Sequence, residues 1–135
     1  ETQRKDPYYP QSRWVEVIQN DFAARADWCI KSFENANHPP SIHVEQPSRI
    51  SAKSGETVIL DFNSGDIDGD QITPSVWNYS DLSTAPVEVT FNQKQAKIKL
   101  GSNAASGNQV HIIVEGTDNG IPKLTRYQRI LIEVD

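Results

Sequence analysis

A two-sheet Greek-key β-sandwich preceded by a helical segment is the fold the sequence predicts, on three observations. First, apolar and polar residues alternate downstream of His38. The pattern is plainest at Val58-Leu60-Phe62, Ala96-Ile98-Leu100, Val110-Ile112-Val114 and Ile130-Ile132-Val134. Period two marks strands with one buried face. Second, the run ending at Phe62 enters an acidic, glycine-containing turn, Asp66-Ile67-Asp68-Gly69-Asp70, and the next run carries Trp77. An Ig-like sandwich passes from its second strand to its third in this way. Third, upstream of Pro39 the spacing is three and four, at Trp14, Ile18, Phe22, Ala26, Cys29, Ile30 and Phe33, which is helical. The predicted class is mainly β: an Ig-like Greek-key sandwich of about seven strands over 39–135, behind an N-terminal arm and helical linker over 1–38.

The elements follow in order. Residues 1–11 carry Pro7, Pro10 and the pair Tyr8-Tyr9 without any period, and read as an extended arm. Ser12 is a candidate N-cap. Asn20-Asp21 is a point where the helical segment can divide in two. His38-Pro39-Pro40 ends the helix, because a residue before proline avoids the helical region. Ile42 and Val44 open the first strand, which resumes near Ile50. Ser54-Gly55-Glu56 turns into a strand from Thr57 to Phe62, and Thr73 to Tyr79 forms the third. Val87, Val89 and Phe91 alternate in a fourth; Ala96 to Leu100 is a fifth, with Lys94, Lys97 and Lys99 on its wet side. Gln109 to Thr117 and Leu124 to Val134 complete the set, joined by Asp118-Asn119-Gly120-Ile121-Pro122. Asn119 and Gly120 both tolerate positive φ in such a turn.

Composition excludes some functions. The net charge of −5 argues against a nucleic-acid partner. No apolar run approaches the roughly 18 residues of a membrane span. The chain opens on Glu1 without Met, so it is expected to be a piece of a longer protein, and its lack of a signal sequence says nothing about destination. Cys29 has no partner for an internal disulfide and, inside a helical pattern, reads as a buried small hydrophobe.

Two clusters carry candidate chemistry. Asp66, Asp68 and Asp70 offer the carboxylates a hard cation such as calcium requires. In a loop that starts at Asp66, position twelve is Trp77 rather than Glu, which rules out an EF-hand loop. The same acids can instead cap the turn by accepting backbone N–H bonds. Topology brings the loop after the second strand and the loop before the last strand of an Ig-like sandwich to one pole, so Asp118 joins the cluster, beside the end of the helix. Trp77 and Tyr79 share one side of their strand. The expected place for Trp77 is the sandwich core; a sugar platform would need an exposed flat ring. Tyr127, Trp28 and Trp14 are further aromatic candidates. His38, His43 and His111 lie apart in the pattern, no nucleophile motif is present, and the acids occupy open turns rather than a cleft. No active site is expected in this sequence.

Gln19-Asn20-Asp21-Phe22-Ala23-Ala24-Arg25-Ala26-Asp27-Trp28-Cys29, followed by Ala36-Asn37-His38-Pro39-Pro40, resembles a domain join in the bacterial cellulose-binding, nucleoside-hydrolase-like family. Gly55-Glu56-Thr57-Val58, the Asp66–Asp70 turn and Thr117-Asp118-Asn119-Gly120-Ile121-Pro122-Lys123-Leu124-Thr125-Arg126-Tyr127-Gln128-Arg129 resemble the C-terminal Ig-like domain of that family. The strand motifs are also similar to polycystic-kidney-disease-type and cadherin-like domains. The resemblance implies a non-catalytic accessory domain of an exported, periplasmic or extracellular protein. Its implied partners are an upstream nucleoside-hydrolase-like domain and a polysaccharide. The aromatics Trp77, Tyr79 and Tyr127 are the carbohydrate-binding candidates of this sequence. Members often carry extra aromatics around the third strand, where this chain has Pro74-Ser75-Val76-Trp77-Asn78-Tyr79. The competing expectation is a calcium-stabilised cadherin-like spacer or adhesion module using Asp66, Asp68, Asp70 and Asp118.

Overall fold

A computed structural model describes residues 12–135; the predicted arm over residues 1–11 lies outside them. Among the described residues, helix α1 (Val15–Trp28) and a 3-10 turn (Phe33–Asn35) precede eight strands. These are β1 (Ser41–Val44), β2 (Arg49–Ala52), β3 (Thr57–Gly65), β4 (Thr73–Asn78), β5 (Val87–Phe91), β6 (Gln95–Leu100), β7 (Gln109–Thr117) and β8 (Thr125–Val134). They form two four-stranded sheets, ordered β1-β3-β6-β5 and β2-β8-β7-β4. The fold is mainly β, as the alternation predicts. No described helix is long and apolar enough to cross a membrane.

The eighth strand comes from the predicted first one. Ile42 and Ile50 lie in separate strands: β1 pairs antiparallel with β3, and β2 pairs parallel with β8. Pro47 lies between them, and a residue without an N–H interrupts a ladder. The chain therefore crosses from one sheet to the other within its first strand.

The predicted inward residues form the core. Val58, Leu60, Phe62, Ala96, Ile98, Leu100, Val110, Ile112, Val114, Ile130, Ile132 and Val134 are all buried in one cluster. Lys97 and Lys99 are exposed. Gly55 takes a φ of 75° in its turn, a conformation that favours glycine.

α1 departs from expectation in three ways. It runs unbroken through Asn20-Asp21, with Asp21 paired to Arg25 at 2.7 Å and to Arg126 at 3.5 Å. The Arg25 hydrogen bond leads the causes that hold the Asp21 carboxyl below its ordinary value. The helix begins behind Trp14 rather than Ser12, with no side-chain cap. Cys29 is exposed, its thiol donating to the Arg25 carbonyl. The physical reason lies in the helical wheel. Trp14, Val17, Asp21, Ala24 and Trp28 recur at three and four, are half-buried or buried, and form the face turned to the protein. Val15, Ile18, Phe22 and Cys29 form a second stripe roughly 120° further round the axis at 100° per residue. That second stripe is exposed: Ile18 is 62% and Phe22 73% accessible. The apolar spacing visible in the sequence merges the two stripes.

Candidate functional site

Two groups of candidate residues come together, one at a pole and one on a sheet face. At the pole, the β3–β4 loop delivers Asp66 and Asp70 and the β7–β8 loop delivers Asp118. Carboxylate oxygens of these three lie within 4.8 Å of one another. Asp66 Oδ1 accepts the N–H groups of Asp68 and Asp70 at 2.8 and 3.4 Å, an Asx-type turn. Asp66 Oδ2 is buried with no hydrogen-bond partner. Asp118 is 3% exposed. Its Oδ1 accepts the N–H groups of Leu124 and Gly120 at 2.9 and 3.1 Å, and its Oδ2 accepts from Asn37 Nδ2 at 3.3 Å. Desolvation, then the charges of Asp66, Asp118 and Asp68, raise the Asp70 carboxyl above its ordinary value. The turn-cap role is therefore real for Asp66 and Asp118, and it leaves acceptor capacity over.

Asp68 leaves the group. Its carboxylate accepts the His38 backbone N–H at 2.6 Å and lies 2.9 Å from His38 Nδ1. The alternate spacing of the sequence placed it with Asp66 and Asp70; in a turn, unlike a strand, alternate residues need not share a side. The His38 ring stacks on Phe33 at 4.0 Å and on Trp28 at 5.7 Å. Asp68 thus pins the end of the helical segment to the sandwich. Asn37 is a second pin that sequence reasoning missed. It is buried, takes the Trp28 indole N–H on its carbonyl at 2.8 Å, and donates to the Pro122 carbonyl at 2.7 Å as well as to Asp118. Gly120 makes room for it. A Cβ at Gly120 would overlap the Asn37 amide, whereas positive φ among the described residues is confined to Gly55, Gly69 and Gly107. The Asn119-Gly120 turn therefore needs glycine for space, not for backbone conformation. Asn119 instead receives the Gln71 N–H on its side chain at 2.8 Å.

The sheet face corrects the core assignment of Trp77. Val76 is buried in the core, paired with Val114, so Trp77 points to the outer face of β2-β8-β7-β4, where it is half-buried. Tyr79 and Tyr127 join it there. Trp77 and Tyr79 meet with ring centroids 5.8 Å apart. Trp14 lies 6.3 Å from Trp77 and meets Tyr127 edge-on at 5.1 Å. Arg13 lies over Trp77 at 4.3 Å and over Tyr79 at 4.9 Å, within cation–π range. The Trp77 indole N–H donates to Glu115 Oε2 at 3.0 Å. Burial and the Glu115 charge raise the Tyr127 phenol above its ordinary value, against Thr125 and Arg13, which lower it. All three predicted carbohydrate candidates thus share one surface. The Arg13 and Trp14 contacts were not visible in the sequence, because they come from over sixty residues away in the chain.

The histidines do not converge among these groups. His43 is exposed, and His111 is buried on β7, where desolvation and then the Arg129 charge lower its pKa.

Comparison with known proteins places this architecture. Residues 57–134, the strands from β3 to β8, match the family described as cellulose-binding protein Sde0182, C-terminal domain. The whole described fold is similar to a solved structure of a nucleoside hydrolase-related hypothetical protein from Saccharophagus degradans, described as associated with carbohydrate metabolism. The identity is 34% and the TM-score 0.84, over 91% of this chain and 32% of that one. This chain thus spans about a third of the length of that structure. No curated protein matches the chain. With more than half of its residues inside the matched family, the chain belongs to the family of the C-terminal domain of cellulose-binding protein Sde0182.

Proposed function

We propose that this chain is the non-catalytic, C-terminal accessory domain of an exported, polysaccharide-associated protein. In this reading, residues 39–135 are the domain and 1–38 the arm and linker. Its helix docks against a nucleoside-hydrolase-related portion, and the Trp77–Tyr79–Tyr127 face serves carbohydrate association. The observation that carries the docking reading is the second stripe of α1. Val15, Ile18 and Phe22 stand exposed in line on a helix whose neighbouring stripe is already packed. Phe33, Ile67 and Ile121 are exposed as well. The His38–Asp68 and Asn37–Pro122 bonds bring their segments to the same pole. A cluster of large exposed apolar side chains marks a contact surface. The similar structure supplies an occupant, since two-thirds of its chain lies outside the region this chain covers. Its family name and the carbohydrate association of that structure support the polysaccharide link.

Calorimetry of the isolated chain and of the longer protein tests docking. Phe22→Ser removes an exposed ring and is expected to shift the stability of the isolated chain by no more than about 0.5 kcal/mol. In the longer protein the same change is expected to separate the unfolding of the two parts. An unchanged transition in the longer protein rejects docking through this stripe.

A second reading, the calcium-stabilised spacer or adhesion module, is favoured by the buried, unpartnered Asp66 Oδ2 beside Asp70 and Asp118. These three residues would hold the ion; its charge would offset the mutual repulsion that raises Asp70. Thermal unfolding with millimolar calcium and then with chelator tests it. Calcium is expected to stabilise by about 2.7 kcal/mol at a hundredfold excess over its dissociation constant. Asp70→Asn gives a check of opposite sign. A carboxyl whose pKa is raised by folding destabilises the fold when ionised, so the variant should melt higher than the parent at pH 7 without calcium. That gain disappears below the ordinary value of 3.8, where both states are protonated. With calcium present the variant should lose the response. Superimposable curves with and without the ion reject the calcium site and leave Asp66 and Asp118 as turn caps alone.

A further inference from the structure

We infer that Arg13 and Trp14 form a strap over the aromatic face, and that β-linked glucose rings bind to Trp77 and Tyr79 in competition with it. The inference rests on the carbohydrate reading above and adds how that surface is controlled. A pyranose ring presents a flat array of C–H bonds, and it binds proteins by lying on the face of an indole or phenol ring. The Arg13 guanidinium already lies there, 4.3 Å from the Trp77 centroid and 4.9 Å from that of Tyr79. Such a separation is one layer thick, so sugar and guanidinium exclude each other. Trp14 closes a further side, tilted 34° to Trp77 and edge-on to Tyr127. The platform beneath is held independently of the strap. Trp77 is on β4, its backbone register set by β7, and its indole N–H is fixed to Glu115 at 3.0 Å. Lifting the strap therefore uncovers an ordered ring rather than dissolving the site. Arg13 and Trp14 immediately precede Val15, the first residue of α1. The strap and the docking stripe are thus adjacent in the chain, and movement of one reaches the other.

When a binding-competent state is only fractionally populated, the apparent affinity falls by that fraction. Titration of the chain with cellohexaose, followed by tryptophan fluorescence, and retention on microcrystalline cellulose read this out. Arg13→Gln is expected to bind about tenfold more tightly than the parent, the scale of one partly desolvated cation–π contact. Adding Trp77→Ala to that variant should abolish the gain. Equal affinity of Arg13→Gln and the parent, with binding lost in Trp77→Ala, overturns the strap and keeps the carbohydrate reading. No binding by any of these proteins overturns both. If Arg13→Gln does not fold by circular dichroism, Arg13→Lys takes its place, since it keeps the charge but not the planar stack.

Discussion

Gly120→Ala is expected to destabilise the domain by about 2–4 kcal/mol, an estimate from overpacking together with the loss of buried hydrogen bonds. The added methyl overlaps the Asn37 amide. Asn37 is 8% exposed and joins two elements, α1 through Trp28 and the β7–β8 loop through both Pro122 and Asp118. Moving it withdraws the donor to Asp118 Oδ2 and to the Pro122 carbonyl, and a buried acceptor without a donor is unfavourable. The measurement is urea unfolding of Gly120→Ala, Asn37→Ala and the double variant. If the clash is the cause, the second substitution adds much less in the Asn37→Ala background than alone. Strict additivity would show that Gly120 acts through something other than Asn37.

Ile112→Ala should be about 2–5 kcal/mol less stable than the parent. Ile112 is fully buried between the sheets. Trp77→Ala removes a much larger side chain, yet its ring is half-buried on the outer face. Its expected effect is no more than about 2 kcal/mol, since only part of the ring area leaves water. The comparison therefore inverts the usual order of side-chain size. A Trp77→Ala variant less stable than Ile112→Ala would return the ring to the interior.

What the sequence disclosed depended on how local each cause was. Val58-Leu60-Phe62 and Ile130-Ile132-Val134 need only period two to declare their buried face, and they were legible. The meeting of Asp66 and Asp70 with Asp118 was legible from the shared pole of the two loops. Trp77 was not. Strand β4 offers Val76 to one side and Trp77 with Tyr79 to the other, and the habit of a Trp on the third strand of an Ig-like sandwich favoured Trp77 as core. The register Val76↔Val114 decides the matter, and the cover that shields Trp77 from water is Trp14, far upstream. Asp68 was grouped by spacing, but its partner is His38, thirty residues earlier. Asn37 carried no signal at all, since a lone Asn before two prolines reads as a helix stop. Its importance exists only once Gly120 has been brought beside it.

The split first strand gives the domain a direction in which it is strong. β2 lies parallel to β8, from Arg49↔Leu131 to Ala52↔Val134, so the start of β2 and the end of β8 lie at opposite ends of the pair. Tension between the helical segment and the C-terminus pulls β2 and β8 in opposite senses along their length. The cross-strand hydrogen bonds then bear the load side by side rather than one after another.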